Sequence, residues 1–184
     1  MKTMICATIA GLAIAVAVHA AEQEATMAQF SLTSPSFRNG QPIPAKHSCE
    51  GADASPALKW EVAPSGTKSF ALITDDPDAP GGTFVHWVIY GIPSDRTELP
   101  ENVAKTETVA AFGNAKQGAS SFGQVGYGGP CPPKGHGVHH YHFKLYALDT
   151  ELNLAQRVTK SQLEAAMKGH ILAQAELVGT YRRD

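Results

Sequence analysis

No block of lysine or arginine occurs anywhere in this 184-residue sequence, and charged residues make up only 17% of it. That argues against a nucleic-acid surface, which needs clustered positive charge. There is no HExxH pair, no paired-cysteine metal motif and no GxxxxGK[ST] loop, so the usual zinc and nucleotide signatures are absent. Nor is there an internal repeat or a linker-like stretch. The longest apolar run, "MICATIAGLAIAVAV", falls short of a membrane span and lacks a stop-transfer flank.

That run follows Lys2 and leads into "VHAAEQ", the layout of a secretory signal peptide over residues 1–20, with cleavage expected after Ala20. Residues 21–28 read as a flexible leader, and residues 29–184 as one domain with enough chain to bury a sizeable core. Loss of Lys2 turns 15 basic against 17 acidic residues into 14 against 17, a formal charge of −3. The expected location is periplasmic or secreted, with no integral membrane span after signal removal.

Of three cysteines, Cys6 leaves with the signal, and Cys49 and Cys131 remain. In an oxidising compartment they suggest a disulfide, worth about 4 kcal/mol for so long a loop. Spacing alone leaves open whether they bond.

Most of the chain reads as strands and turns. "QFSLTS", "SPALKWEV" and "SFALIT" are short strand candidates, and Asn39-Gly40 is a tight-turn signal. "TFVHWVIYGI" is apolar on both faces, as a central, doubly covered strand would be. Residues 113–126 read as a Gly-rich loop. From His139 onward, alternation places His139, Tyr141, Phe143, Leu145 and Ala147 on one face and His140, His142, Lys144, Tyr146 and Leu148 on the other, which is the more polar where it starts. One helix is expected near the C-terminus. Ser161 and Glu164 have capping-box spacing, with Thr159 as an alternative N-cap and an apolar stripe of Leu163, Ala166, Met167 and Ile171. The chain is therefore expected to be mainly β, with a few short helices.

The densest chemistry lies in "GYGGPCPPKGHGVHHYHF", residues 126–143. His140 and His142 share a strand face and could hold one metal, but His139 points the other way; solvated histidines are the simpler account. Cys131 could pair with His139 as a nucleophile, although a disulfide or a buried thiol suits the compartment better. Pro130, Pro132 and Pro133 have no N–H to cradle a phosphate. A fourth arrangement uses the prolines as walls and His139 and Tyr141 as side-chain donors. "DDPDAPGGTFVHW" repeats that construction, with Asp76, Asp78, Pro80 and His86. Two imidazoles and a phenol around a small cavity suit a phosphate, sulfate or carboxylate group. A nearby carboxylate would raise the histidine pKa values and strengthen anion capture. Asp-Pro-Asp is also a common turn sequence, and His86 could simply be a core residue.

At these two segments the sequence resembles the phosphatidylethanolamine-binding protein family, in its bacterial Raf-kinase-inhibitor-like branch. "IPAKHSCEGADASPALKW" and "MKGHILAQAELVGTYRR" extend the resemblance across almost the whole domain. It implies antiparallel Greek-key β-sheets and an anion pocket lined by Asp76, Pro80, His86, Pro133, His139 and Tyr141. Where animal members carry a tryptophan and a second histidine, this chain has Phe84 and Val85, so lipid-headgroup selectivity is not carried over.

The combined expectation is a non-enzymatic binding protein without cofactor or metal. Its small anion or phosphorylated ligand would be held by Asp76, Asp78, Pro80, His86, Pro133, His139 and Tyr141. It would modulate a partner such as a kinase or protease, without nucleic acid, and a homodimer is left open. The rivals are a hydrolase of small phosphorylated or acyl substrates, with acid–base groups but no activated nucleophile, and an interaction module whose pocket is vestigial.

Overall fold

The structure is a computed structural model that describes residues 29–184; the expected signal peptide and leader lie outside the described residues. Among the described residues, nine strands form two antiparallel sheets. The smaller has the order β1 (Ser31–Thr33), β2 (Leu58–Glu61), β5 (Glu98–Leu99). The larger runs β6 (Thr108–Val109), β7 (Ala115–Gln117), β4 (Phe84–Pro93), β3 (Ser69–Asp76), β8 (His139–Leu148), β9 (Ile171–Tyr181). Within it, β8-β3-β4-β7 has the order of a Greek key. Among the described residues no helix is long and apolar enough to cross a membrane.

The β3 sequence has no polar face because both of its faces are covered. Phe70 and Leu72 pack between the two sheets with Trp60, Trp87 and Phe143. Ala71 and Ile73 pack on the opposite side with Tyr90, Val158, Leu163 and Met167. β4 is covered in the same way, with Trp87 and Ile89 on one side and Val88 and Tyr90 on the other. On β8, His139, Tyr141, Phe143, Leu145 and Ala147 are buried toward the intersheet side, and His140 is exposed.

Two bulges in β4 change which side chains share a face. Phe70 pairs with Ile92 and Ala71 with Tyr90, leaving Gly91 as an extra residue at φ 68°. Thr74 pairs with Trp87 and Asp75 with Val85, leaving His86 extra. In a regular strand His86 would face away from its neighbour Trp87. The bulge re-aims it to the side of Trp87 and Tyr141.

Three local expectations are corrected. Residues 113–126 are not all loop, because Ala115–Gln117 pairs with both β4 and β6. The helix α1 (Lys160–Met167) is capped by Thr159, not Ser161: the Gln162 amide donates to the Thr159 side chain, and the Gln162 side chain accepts from the Thr159 amide. Ile171 is not in the helical stripe but begins β9, where it is exposed. Gly169, at φ 85°, ends the helix and lets the chain reverse.

Cys49 and Cys131 are disulfide-bonded, their Cα atoms 5.4 Å apart across a sequence separation of 82. The bond ties the short helical turn Ala45–His47 to the Pro-rich loop before β8.

The capping geometry predicts that Thr159→Ala lowers the unfolding free energy by about 1 kcal/mol. Ser161→Ala should change it by less than about 0.5 kcal/mol. Urea denaturation of the two variants measures both, and equal losses would contradict the assignment of the cap.

Candidate functional site

At one end of the intersheet layer a cavity of about 290 Å³ opens among Asp76, Pro80, His86, Pro133, His139 and Tyr141. Each side chain arrives there for a local reason. Asp75 and Asp76 end β3 and take opposite faces. Asp75 accepts from Lys144 (2.8 Å) and Lys160 (2.5 Å) on the helix side, whereas Asp76 turns into the cavity. His139 and Tyr141 enter by strand alternation, and His86 by its bulge.

Asp76 is nearly fully buried, and both of its oxygens have partners. Oδ1 accepts from the Asp78 amide at 2.8 Å, and Oδ2 accepts from His139 Nδ1–H at 2.7 Å. A buried carboxylate without such donors would carry a large desolvation cost. On the far side of the His139 ring, Nε2 lies 2.7 Å from His136 Nδ1. Asp76, His139 and His136 therefore form a continuous chain running outward from the buried carboxylate. His136 was not among the sequence-derived site residues, because only the turn through Gly135 and Gly137 folds it back onto His139.

His86 contradicts the expectation of an imidazolium. Its Nδ1–H donates to the Gly128 carbonyl at 2.7 Å. Burial lowers its pKa, outweighing that bond and the Asp76 charge, which act in the opposite direction. His139 also departs from expectation as an anion donor, since both of its ring nitrogens are engaged within the protein.

Tyr141 is the group left over. Its hydroxyl is fully buried, close to the Asp76 carboxylate and the Cys131 amide, yet no partner stands at hydrogen-bonding geometry. Burial, then the Asp76 charge, push the phenol far above its ordinary pKa, so it stays protonated and remains a donor.

Asp78 does not line the cavity. Its Oδ2 accepts from the His140 amide (2.9 Å) and ring (2.7 Å) at the surface, and the ring bond holds its pKa below the ordinary carboxylate range. His140 and His142 are not free surface imidazoles either, because His142 donates to Glu176 at 2.8 Å. Among the described residues no set of three or more His, Cys, Asp or Glu side chains is grouped to hold a metal ion.

The remaining walls are apolar and rigid. Phe122 packs edge-on against Phe84, ring centroids 4.7 Å apart, and His86 at 5.4 Å. Its signal in the sequence was a lone aromatic in a polar, glycine-rich stretch. Gly129 lets the next loop close tightly: its amide donates to Asp53 at 2.6 Å, and a Cβ there would lie 2.2 Å from the His47 carbonyl oxygen. Cys131 and Pro132 complete this wall, and the disulfide leaves Cys131 without a free thiol.

Comparison with known proteins places this chain among relatives. The family model described as "Phosphatidylethanolamine-binding protein" matches residues 33–182. A protein of Aquifex aeolicus named "UPF0098 protein" is 53% identical over 152 residues, covering 82% of this chain and 87% of the relative. Among solved structures, Escherichia coli YbcL, described as a member of the mammalian PEBP family, superposes with a TM-score of 0.79. It shares 36% identity, with 85% of this chain and all of that one covered. The PEBP homologue CT736 of Chlamydia trachomatis gives a TM-score of 0.75 at 42% identity, covering 84% and 98% of the two chains.

Two outcomes follow from the electrostatics. The His86 imidazole should remain neutral at pH 6.5, where a free histidine is about half protonated; its Cε1–H shift in a carbon-resolved NMR titration would show this. By linkage, a base whose pKa is lowered on folding stabilises the fold above the unfolded value, and that stability is lost as pH falls toward the folded pKa. Tyr141→Phe, which removes a hydroxyl without a partner, should leave stability unchanged or raise it by up to about 1 kcal/mol in urea denaturation.

Proposed function

The chain belongs to the phosphatidylethanolamine-binding protein family, and on that premise we propose that it is a non-enzymatic binding protein for a small oxyanion. The ligand would sit in the cavity bounded by Asp76, His86, His139 and Tyr141. The observation that carries this proposal is the Tyr141 hydroxyl, a protonated donor that lines a preformed cavity with no partner of its own. A buried donor left unsatisfied costs about 1–3 kcal/mol, which an anionic oxygen would recover. Pro80, Pro133, Phe84 and Phe122 would limit the cavity to one compact group.

The protein would act in the periplasm or outside the cell, in keeping with a Cys49–Cys131 disulfide and the signal-like N-terminal sequence. Its effect would be to modulate a partner, such as a kinase or protease, through a phosphorylated group held in this cavity.

A hydrolase has one observation in its favour, the Asp76–His139–His136 chain, which resembles an oriented general base. Opposing it, Cys131 is committed to a disulfide, and the Tyr141 phenol is held in its protonated form.

Calorimetric titration with inorganic phosphate and phosphorylethanolamine tests the proposal. Wild-type protein should bind saturably. Tyr141→Phe should bind about 10- to 100-fold more weakly, as expected for loss of a hydrogen bond to a charged group. His139→Ala, which leaves the buried Asp76 carboxylate without its ring donor, should weaken binding as well and lower the unfolding free energy by about 3–5 kcal/mol. Unchanged affinity in both variants would remove the cavity from consideration, and turnover of a phosphate monoester or an ester by the wild type would favour the hydrolase.

A further inference from the structure

The polar atoms around the cavity differ in kind, and they constrain which oxyanion fits. Tyr141 Oη–H is a donor without a partner. Pro132 and Pro133 add none, having no N–H. Asp76 has both oxygens occupied and brings a negative charge to the cavity wall. His139 has both ring nitrogens occupied.

His86 supplies the remaining polar atom. The carbonyl of Gly128 can only accept a hydrogen bond, so the His86 proton resides on Nδ1. In the neutral ring, Nε2 then carries a lone pair and no proton. The groups around this ring are Asp76 and Asp75 from β3, Tyr141 and His139 from β8, Phe122 from the preceding loop, and the carbonyl and amide groups of Gly128 and Gly129. No lysine or arginine lines the cavity. Its lining therefore offers one unpartnered donor, one acceptor and a nearby carboxylate.

Resting on the oxyanion assignment above, we propose that this cavity selects oxyanions that keep a proton, such as inorganic phosphate and phosphate monoesters below their second ionisation, over those that cannot. An unprotonated oxygen would accept from Tyr141, and the ligand's own O–H would donate to His86 Nε2. Sulfate, or a phosphate diester like the headgroup of an intact lipid, has no proton to give near neutral pH. Either would set an anionic oxygen against the Nε2 lone pair and leave that acceptor unpaired. Rejection of this kind is strong, because unpaired buried polar groups discriminate more sharply than a missing apolar contact.

Calorimetry on the wild-type protein at pH 5.5, 7 and 8.5 tests this with four ligands. Inorganic phosphate and phosphorylethanolamine represent free phosphate and a monoester, glycerophosphorylethanolamine the diester lipid headgroup, and sulfate the fully ionised control. At pH 5.5 the first two should bind at least about 10-fold more tightly than the last two, a difference of about 1.4 kcal/mol, and inorganic phosphate should keep that margin at pH 7. Affinity for phosphorylethanolamine should fall toward about 10-fold per pH unit above its second ionisation, near pH 6, as the singly protonated form is depleted. His86→Gln, which can turn an amide N–H toward the cavity, should bring the phosphate-to-sulfate ratio close to one; if it fails to fold, the wild-type comparison still decides. Sulfate or the diester binding as tightly as phosphate, or phosphorylethanolamine affinity rising with pH, would overturn this selectivity while leaving the oxyanion site standing. Absence of binding by all four ligands would overturn both.

Discussion

A single buried carboxylate organises one end of this molecule. Asp76 is removed from water, so its charge has to be met by donors from elsewhere in the chain, and they come from two directions. The amide of Asp78 closes the turn after β3, and the ring of His139 reaches across from the start of β8. The start of the 77–82 turn and the orientation of the His139 ring are held by satisfying this group, at the end of a β3–β8 ladder that runs from Ser69–Leu148 to Asp75–His142. His136 then adds to the far side of the same ring, extending the network from the buried carboxylate to the surface.

Around that network the fold supplies rigidity rather than further polar groups. Both faces of β3 and β4 are covered, which explains their near-continuous apolar sequences. The Pro-rich loop before β8 contributes shape, and it is tied to the Ala45–His47 turn by the disulfide and by the tight contact at Gly129. A cavity with walls of this kind can be present before any ligand arrives, so little ordering cost accompanies binding. The leading electrostatic feature is thus a shortage of internal partners: Tyr141 is left with a proton to donate, and His86 with a lone pair.

Much of this organisation was legible along the chain. Period-two alternation correctly divided β8 into a buried and a more polar face, and the dense apolar run at 84–93 marked a central strand. The segments carrying Asp76, Pro80, His86, Pro133, His139 and Tyr141 stood out by composition, and those residues do line one cavity. The short strands β5, β6 and β7 were not legible, since two or three residues carry no measurable period. The helix start was ambiguous because Thr159 and Ser161 both precede a residue able to complete a capping box.

The amino-acid sequence by itself determined the residue types at the site, the mainly β class and the family, because these depend on local pattern and on long motifs. Tertiary structure alone decided how the side chains are used. His86 faces the cavity only because a bulge shifts its parity, and its proton sits on Nδ1 only because Gly128, 42 residues away, presents a carbonyl there. Asp78 was drawn out to His140 and away from the cavity, while His136 came in to occupy His139. Strand alternation holds only where the ladder is regular, and a hydrogen-bond partner brought from a distant segment has no period to announce it.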